Sequence, residues 1–256
     1  MLTNNEIKYY VGLKNKKTRN EEGKFLIEGL HLIRECLASK FYYKDYIESI
    51  IVRDDFNLSQ IPTKDIEVLY VSEKNFDKIS DTVNPQGIIA VVRKPEYSDD
   101  YTHSNLNLIV ALENINDPGN LGTILRTCYW FNAGKILVSA GSVDLYNSKV
   151  LRASQGAVFH TNVRTEVDLY SELEKLSSDH EILLTDLSSK KSLSELNIDK
   201  NKKYVIVFGN EANGISDEIK EYKYDLIKID NFTDCESLNL SVSAGIILNK
   251  FANALK

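Results

Sequence analysis

Three stretches in the second half of this 256-residue chain concentrate residue types that catalysis uses. The first, ENINDPGNLG over residues 113–122, leads into a helix: Asn116 or Asp117 can cap it, and Pro118 has the preset φ of a first helical position. That helix carries Arg126 six residues after Asn120, less than two turns away. If both point to one site, the loop must bend near residues 119–122. The second stretch, FGNEANGIS over 208–216, has the G-x-x-x-x-G frame of a phosphate loop. It lacks the Lys-Ser/Thr pair that clamps a triphosphate, and Glu211 stands where a dinucleotide fold needs its middle glycine. Nucleotide hydrolases and nucleotide-dependent oxidoreductases are therefore disfavoured. What remains is a tight turn with exposed amides and one carboxylate, suited to a small neutral or cationic ligand. The third stretch, IDNFTDCESLNLSVS over 229–243, sets Ser237, Asn239 and Ser241 at the start of the last helix, more small polar groups than one cap needs.

Such loops are useful only if strands hold them side by side, and the apolar pattern supplies those strands. Short β-rich runs at 24–28, 49–52, 67–71 and 87–92 alternate with helical stretches at 29–39 and 72–79, the latter opened by Ser72. Residues 94–104, KPEYSDDYTHS, are polar and aperiodic and read as a linker, which predicts domains over 1–97 and 105–256. The second half restarts with strands at 107–113, 135–139, 181–185, 204–208 and 225–230, and helices at 119–131 and 238–254. Continuous apolar strands separated by helices predict an α/β protein whose parallel sheet is covered on both faces. In such sheets ligands sit beyond the carboxyl ends of the strands, where all three loops fall.

Composition sets the class. With 43% apolar and 27% charged residues, the chain is neither disordered nor collagen-like. No apolar run approaches the roughly 18 residues of a membrane span, and MLTNNEIKYY lacks a secretory pattern. Three scattered cysteines form no disulfide framework, and four histidines show no ligand spacing with them, so we expect a cytoplasmic protein without a metal site. The net charge of −6 is unevenly spread. Lys8, Lys14, Lys16, Lys17, Arg19 and Lys24 fall within the first 24 residues, and charges so clustered can neutralise phosphates on an acidic protein, because each acts over only about 10 Å. Lys14, Lys16, Lys17 and Arg19 are thus candidate RNA-binding residues; the alternative is a solvated helix end or loop.

NDPGN with Arg126-Thr127, GNEANG over 209–214 and SLNLSV over 237–242 resemble, in order, the three motifs of the SpoU (TrmH-like) RNA ribose 2′-O-methyltransferases of the SPOUT superfamily. LRASQGA at 151–157 and TVNPQGIIAV at 82–91 fit as well. The first half, including RNEEGKFLIEG at 19–29, is similar to the smaller α/β RNA substrate-binding domain often fused to that enzyme. The resemblance implies a parallel sheet with a deep C-terminal trefoil knot, a homodimer, and S-adenosylmethionine bound in bent form at the knot. It implies cofactor contacts from Gly209, Ile229, Leu238 and Asn239, with Thr185 nearby, and a catalytic set of Asn120, Arg126, Glu211, Ser237 and Asn239. One departure is Ile229-Asp230-Asn231, where many relatives have Ile-Pro-Met.

The implied reaction is methyl transfer to a ribose 2′-hydroxyl of RNA, most simply ribosomal RNA, with guanosine as the family-weighted nucleotide. The alternative is a catalytically idle RNA-binding relative that serves ribosome assembly. A guanidinium is effectively always charged, so Arg126 suits holding a phosphate and stabilising a developing alkoxide better than removing a proton. Asn120 and Ser237 would orient these groups and Asn239 would brace the loop, while Glu211 would fix its turn or bind a partner arginine.

Overall fold

The structure is a computed structural model that describes residues 2–40, 46–63, 65–95, 107–222 and 224–256. Two compact units emerge, Met1–Glu96 with Asp144–His160, and Tyr97–Val143 with Thr161–Lys256. The expected linker at 94–104 lies, from residue 96 on, outside the described residues. Elements are numbered along the whole chain.

The first unit contains α1 (Asn4–Gly12), α2 (Lys16–Glu22), β1 (Lys24–Glu28), α3 (Leu30–Ala38), β2 (Ile47–Arg53), β3 (Glu67–Val71), α4 (Glu73–Ile79) and β4 (Ile88–Arg93). Its sheet runs β1-β4-β2-β3, with β4 antiparallel to both neighbours and β3 parallel to β2. It is therefore mixed, with two antiparallel pairings and one parallel. Alternation divides the residues between two faces. Leu26, Ile51, Ile89 and Val91 pack with Ile7, Tyr10 and Leu13 at the N-terminus and Phe76 and Ile79 of α4. Helix α1 begins with a capping box in which Thr3 Oγ1 accepts from Glu6 N and Glu6 Oε2 accepts from Thr3 N. At α4, Ser72 occupies the cap position but its side chain makes no cap bond.

The excursion Asp144–His160, which includes α6 (Ser148–Ser154), completes this unit. Tyr146 lies 4.3 Å from the Phe25 ring, centroid to centroid, and His160 Nε2 is 2.8 Å from a Glu35 carboxylate oxygen. Arg19 corrects the sequence reading. Its side chain is buried, and it donates to Asp144 Oδ2 through Nε and Nη2 and to the Leu13 and Lys14 carbonyls through Nη1. With its side chain buried and four of its five N–H donors spent inside the fold, this guanidinium is a structural bolt and not a surface contact for a phosphate. Lys14 is similarly occupied, its ammonium donating to the Lys78 and Ser80 carbonyls.

The second unit contains β5 (Leu108–Leu112), α5 (Pro118–Trp130), β6 (Lys135–Ser139), β7 (Val163–Val167), α7 (Leu169–Leu176), β8 (Glu181–Thr185), β9 (Tyr204–Phe208), α8 (Asp217–Lys220), β10 (Asp225–Ile227) and α9 (Leu240–Leu255). Its six strands are all parallel in the order β10-β8-β9-β5-β6-β7. Ala111, Leu137, Val205 and Val207 meet Leu169 and Leu173 of α7 and Ile219 of α8 on one face. Helix α9 packs along α5 and brings Phe251 within 5.3 Å of the Tyr204 ring on the other. Its buried positions Ala244, Ile247, Leu248, Phe251 and Ala252 follow one helical stripe. Edge strand β7 breaks the apolar pattern, because VRTEV carries three consecutive polar residues, Arg164, Thr165 and Glu166, and its middle is not buried. The expected strand at 225–230 is shorter, and α9 starts at Leu240 with Asn239 as its cap, so Ser237 lies outside the helix.

No helix among the described residues is long and apolar enough to cross a membrane. Cys36, Cys128 and Cys235 are free; burial pushes the Cys36 thiol up to about 12, far from reactive thiolate. The Arg19–Asp144 pair gives a direct test of the first unit. Arg19→Gln leaves a mostly buried carboxylate uncompensated and is expected to cost about 3–5 kcal/mol in urea unfolding. Lys17→Gln, which removes an exposed pair with Glu21, is expected to change stability by less than about 0.5 kcal/mol.

Candidate active site

Parallel pairing in the order β10-β8-β9-β5 sets four strand ends in a row, with neighbours about 4.8 Å apart. Thr185 ends β8, Gly209 follows β9, Ile229 lies just beyond β10, and residues 113–117 follow β5. The three polar loops of the sequence therefore belong to one end of one sheet.

Side-chain amides join them. Asp117 caps α5 by accepting from Asn120 N at 2.7 Å, with Pro118 at the first turn. Asn120, only 8% exposed, donates from Nδ2 to Glu211 Oε1 at 3.0 Å and accepts at Oδ1 from Asn239 Nδ2 at 3.0 Å. Asn239 in turn caps α9, its Oδ1 accepting from Ser241 N, Val242 N and Ser241 Oγ. The direction of this relay is fixed from both ends. Helix amides require the Asn239 oxygen and the Glu211 carboxylate only accepts, so the amides of Asn239 and Asn120 have one satisfying orientation each.

The middle loop is held from inside. Asn210 Oδ1 accepts from Ala212 N and Asn213 N, its Nδ2 donates to the Asn114 carbonyl at 2.7 Å, and its backbone exchanges two bonds with Gly214. Buried Glu113 accepts from Ser216 N at 2.9 Å. Asn210 and Glu113 thus belong to the site as well, and both stand in the motif stretches of the sequence. Gly209 is required by close approach: a Cβ there would lie 2.3 Å from the Gly214 carbonyl carbon and 2.4 Å from Ile215 N. The crowding comes from the loop's own backbone, so this glycine shapes the turn.

The remaining expected residues do not join the relay. Arg126 lies about 120° around α5 from Asn120, is exposed, and makes no hydrogen bond or ion pair among the described residues. Ser237 is exposed, and its carbonyl accepts from Cys235 Sγ at 3.5 Å. Thr185 donates its hydroxyl to the Val207 carbonyl at 3.0 Å, tying β8 to β9. Ile229 is half-buried and Leu238 about half-exposed, which leaves apolar surface beside the row of strand ends. The Ile-Asp-Asn departure has a local explanation: Asp230 accepts from the hydroxyls of Ser192 and Ser194, at 2.5 and 2.8 Å, anchoring the loop by side-chain bonds. The same hydroxyls hold the Asp230 carboxyl below its ordinary range.

Thr185, Gly209 and Ile229 thus stand at one end of the sheet, with the half-exposed Leu238 on the segment after β10. Gly209→Ala is expected to destabilise by about 1–3 kcal/mol in chemical denaturation, because backbone must move. Gly214 has φ +68° and open space around it, so Gly214→Asn is expected to cost less than Gly209→Ala.

Residues 107–249 match the SpoU rRNA Methylase family, and residues 4–90 match the MRM3-like substrate binding domain. The chain is 30% identical over 96% of its length to the 23S rRNA (guanosine(2553)-2′-O)-methyltransferase RlmP of Bacillus subtilis, covering 95% of that protein. It is 32% identical over 68% of its length to the mitochondrial rRNA methyltransferase 3 of Mus musculus, covering 43% of that protein. The crystal structure of an AdoMet-bound rRNA methyltransferase from Sinorhizobium meliloti is 27% identical, with a TM-score of 0.83 over 100% of this chain and 97% of that one. With a matched model spanning more than half of its length and the three motifs joined at one sheet end, the chain belongs to the SpoU rRNA methylase family.

Proposed function

We propose that this protein is an S-adenosylmethionine-dependent methyltransferase acting on a ribose 2′-hydroxyl of ribosomal RNA, with a guanosine as the methylated nucleotide. The observation that carries the reading is the Asn239–Asn120–Glu211 relay, which joins all three family motifs at the carboxyl end of the sheet. The guanosine rests on the Bacillus relative, and S-adenosylmethionine on the AdoMet-bound neighbour.

In this reading residues 1–97 bind the RNA substrate and 105–256 carry the chemistry, the C-terminal chain forming the knot implied by the resemblance. The backbone around Gly209, Ile229 and Leu238 holds the cofactor, Asn239 sets the Leu238 segment against it, and Thr185 closes the row. Bound S-adenosylmethionine supplies an already activated methyl group on its sulfonium. The chain's own task is to place a 2′-hydroxyl in line and to stabilise charge on it. Arg126, with no internal partner among the described residues, holds an RNA phosphate and stabilises the developing alkoxide, and water or phosphate takes the proton. Ser237 orients the ribose. Asn120 and Glu211 are positioning residues whose polar atoms are committed to the relay.

Tyr129, Trp130, Val242 and Ile246 leave apolar side chains exposed on α5 and α9, two helices that pack together. A homodimer formed across this surface covers them, and the protein works in the cytoplasm. Lys16 and Lys17, exposed on α2, contact the RNA, whereas Lys14 and Arg19 serve the fold.

Mapping 2′-O-methyl positions in total RNA from cells with and without the protein identifies the nucleotide, and a map unchanged by its removal rejects the reading. Arg126→Ala is expected to leave cofactor affinity within a few-fold in calorimetry. It is expected to slow single-turnover methyl transfer by about 10²–10³ or more, the cost of losing one transition-state donor. Normal transfer by this variant would remove Arg126 from the site.

A further inference from the structure

The segment between β10 and α9 carries an exposed aromatic that the relay does not use. Phe232 is 92% exposed, an unusual state for a phenyl ring. The surrounding turn is closed by its own side chains. Asn231 Nδ2 donates to the Cys235 carbonyl at 2.6 Å, Asn231 Oδ1 accepts from Thr233 N at 3.0 Å, and Thr233 Oγ1 accepts from Cys235 N at 3.2 Å. Asp230 anchors the segment on one side through Ser192 and Ser194, and Asn239 anchors it on the other through Asn120. A ring displayed from a turn fixed at both ends loses little freedom when a partner stacks on it.

The charges on this segment say what that partner is. From residue 229 to residue 249 there is no lysine or arginine, so the segment offers no cation to a phosphate. It offers carboxylates. Asp230 is consumed by the two serines, whereas Asp234 and Glu236 are exposed and have no hydrogen-bond or ion-pair partner among the described residues, and of these two Asp234 lies inside the closed turn with Phe232. A carboxylate only accepts hydrogen bonds, so it recognises a group that presents adjacent donors. Among the four RNA bases guanine alone does so on its Watson–Crick edge, through N1–H and the N2 amino group. Adenine and cytosine each place an acceptor at the ring position, and the uracil N3–H is flanked by carbonyls. Recognition of an unstacked base by an aromatic face and a hydrogen-bonded edge is how single-stranded RNA is read.

We infer that Phe232 and Asp234 form the base-recognition element of this enzyme, the ring stacking on the target guanine and the carboxylate accepting from its N1–H and N2–H while the relay loops address the ribose. This rests on the methyltransferase reading above and adds the residues that select the base.

The test uses the full-length protein and a synthetic RNA containing the mapped nucleotide, made with either guanosine or inosine, which lacks the N2 amino group. Phe232→Ala is expected to lower kcat/KM on guanosine about 10- to 100-fold, the range of a lost base stack, with Phe232→Tyr restoring most of it. Wild type is expected to favour guanosine over inosine about tenfold, the scale of one hydrogen bond to a charged group, and Asp234→Asn to bring that ratio close to one. Cofactor affinity in calorimetry stays within a few-fold for each variant. An unchanged guanosine-to-inosine ratio in Asp234→Asn, or full activity in Phe232→Ala, overturns the inference. So does a change of oligomeric state in Phe232→Ala, which makes the ring an interface residue. A methyl mapped to another base overturns it too, yet leaves the methyltransferase reading standing; no mapped methyl at all rejects that reading first.

Discussion

One buried carboxamide holds the site together. Asn120 sits between the cap of α9 and the carboxylate of the β9 loop, and both of its neighbours dictate which way it faces. A buried amide with an unmade bond costs about 1–3 kcal/mol, so the three loops are stable together only in the arrangement that satisfies all of them. The sheet order makes this possible by setting β9 between β8 and β5, which brings the ends of noncontiguous strands within reach of one helix start. The cap of α9 then serves two ends, satisfying the last helix and fixing the first loop.

This relay also divides the polar residues by their work. Groups with every atom committed, Asn120, Asn239 and Asn210, hold geometry. Arg126, Ser237 and Phe232 are exposed and take no part in the relay. The same division operates in the first unit. Arg19 and Lys14 look like RNA contacts in a list of basic residues, yet burial and backbone carbonyls have claimed them. A count of positive charge therefore overstates the surface available to a polyanion.

Much of the fold was legible in the sequence because buried strands of a parallel sheet are continuous apolar runs, as YVIVF in β9 shows. The Asp117 cap and Pro118 were readable for the same reason: each acts within one turn of its own position. Edge strand β7 and the mixed order of the first sheet were not, since strand direction depends on partners far away in sequence. The capping box of Thr3 and Glu6 was present as T-x-x-E and could have located α1. At the site, the motif residues were legible as a set, but their separate roles were not. Asn120 and Arg126 sit in one helix, and only the three-dimensional partners separate the one that builds from the one left free. Gly209 likewise reads as room for a ligand, whereas the crowding atoms are those of Gly214 and Ile215.

The relay makes a quantitative claim about coupling, and a double-mutant cycle measures it. Asn120→Ala, Asn239→Ala and the double variant are compared by S-adenosylmethionine affinity in calorimetry, each variant first checked for folded-state stability. If the two amides act as one unit, the first loss already releases the loops, and the double variant binds little worse than either single one. The expected coupling is about 1 kcal/mol or more, within the range for residues in one hydrogen-bond network. Additive losses within about 0.3 kcal/mol would mean that the loops are held independently, and would contradict the account.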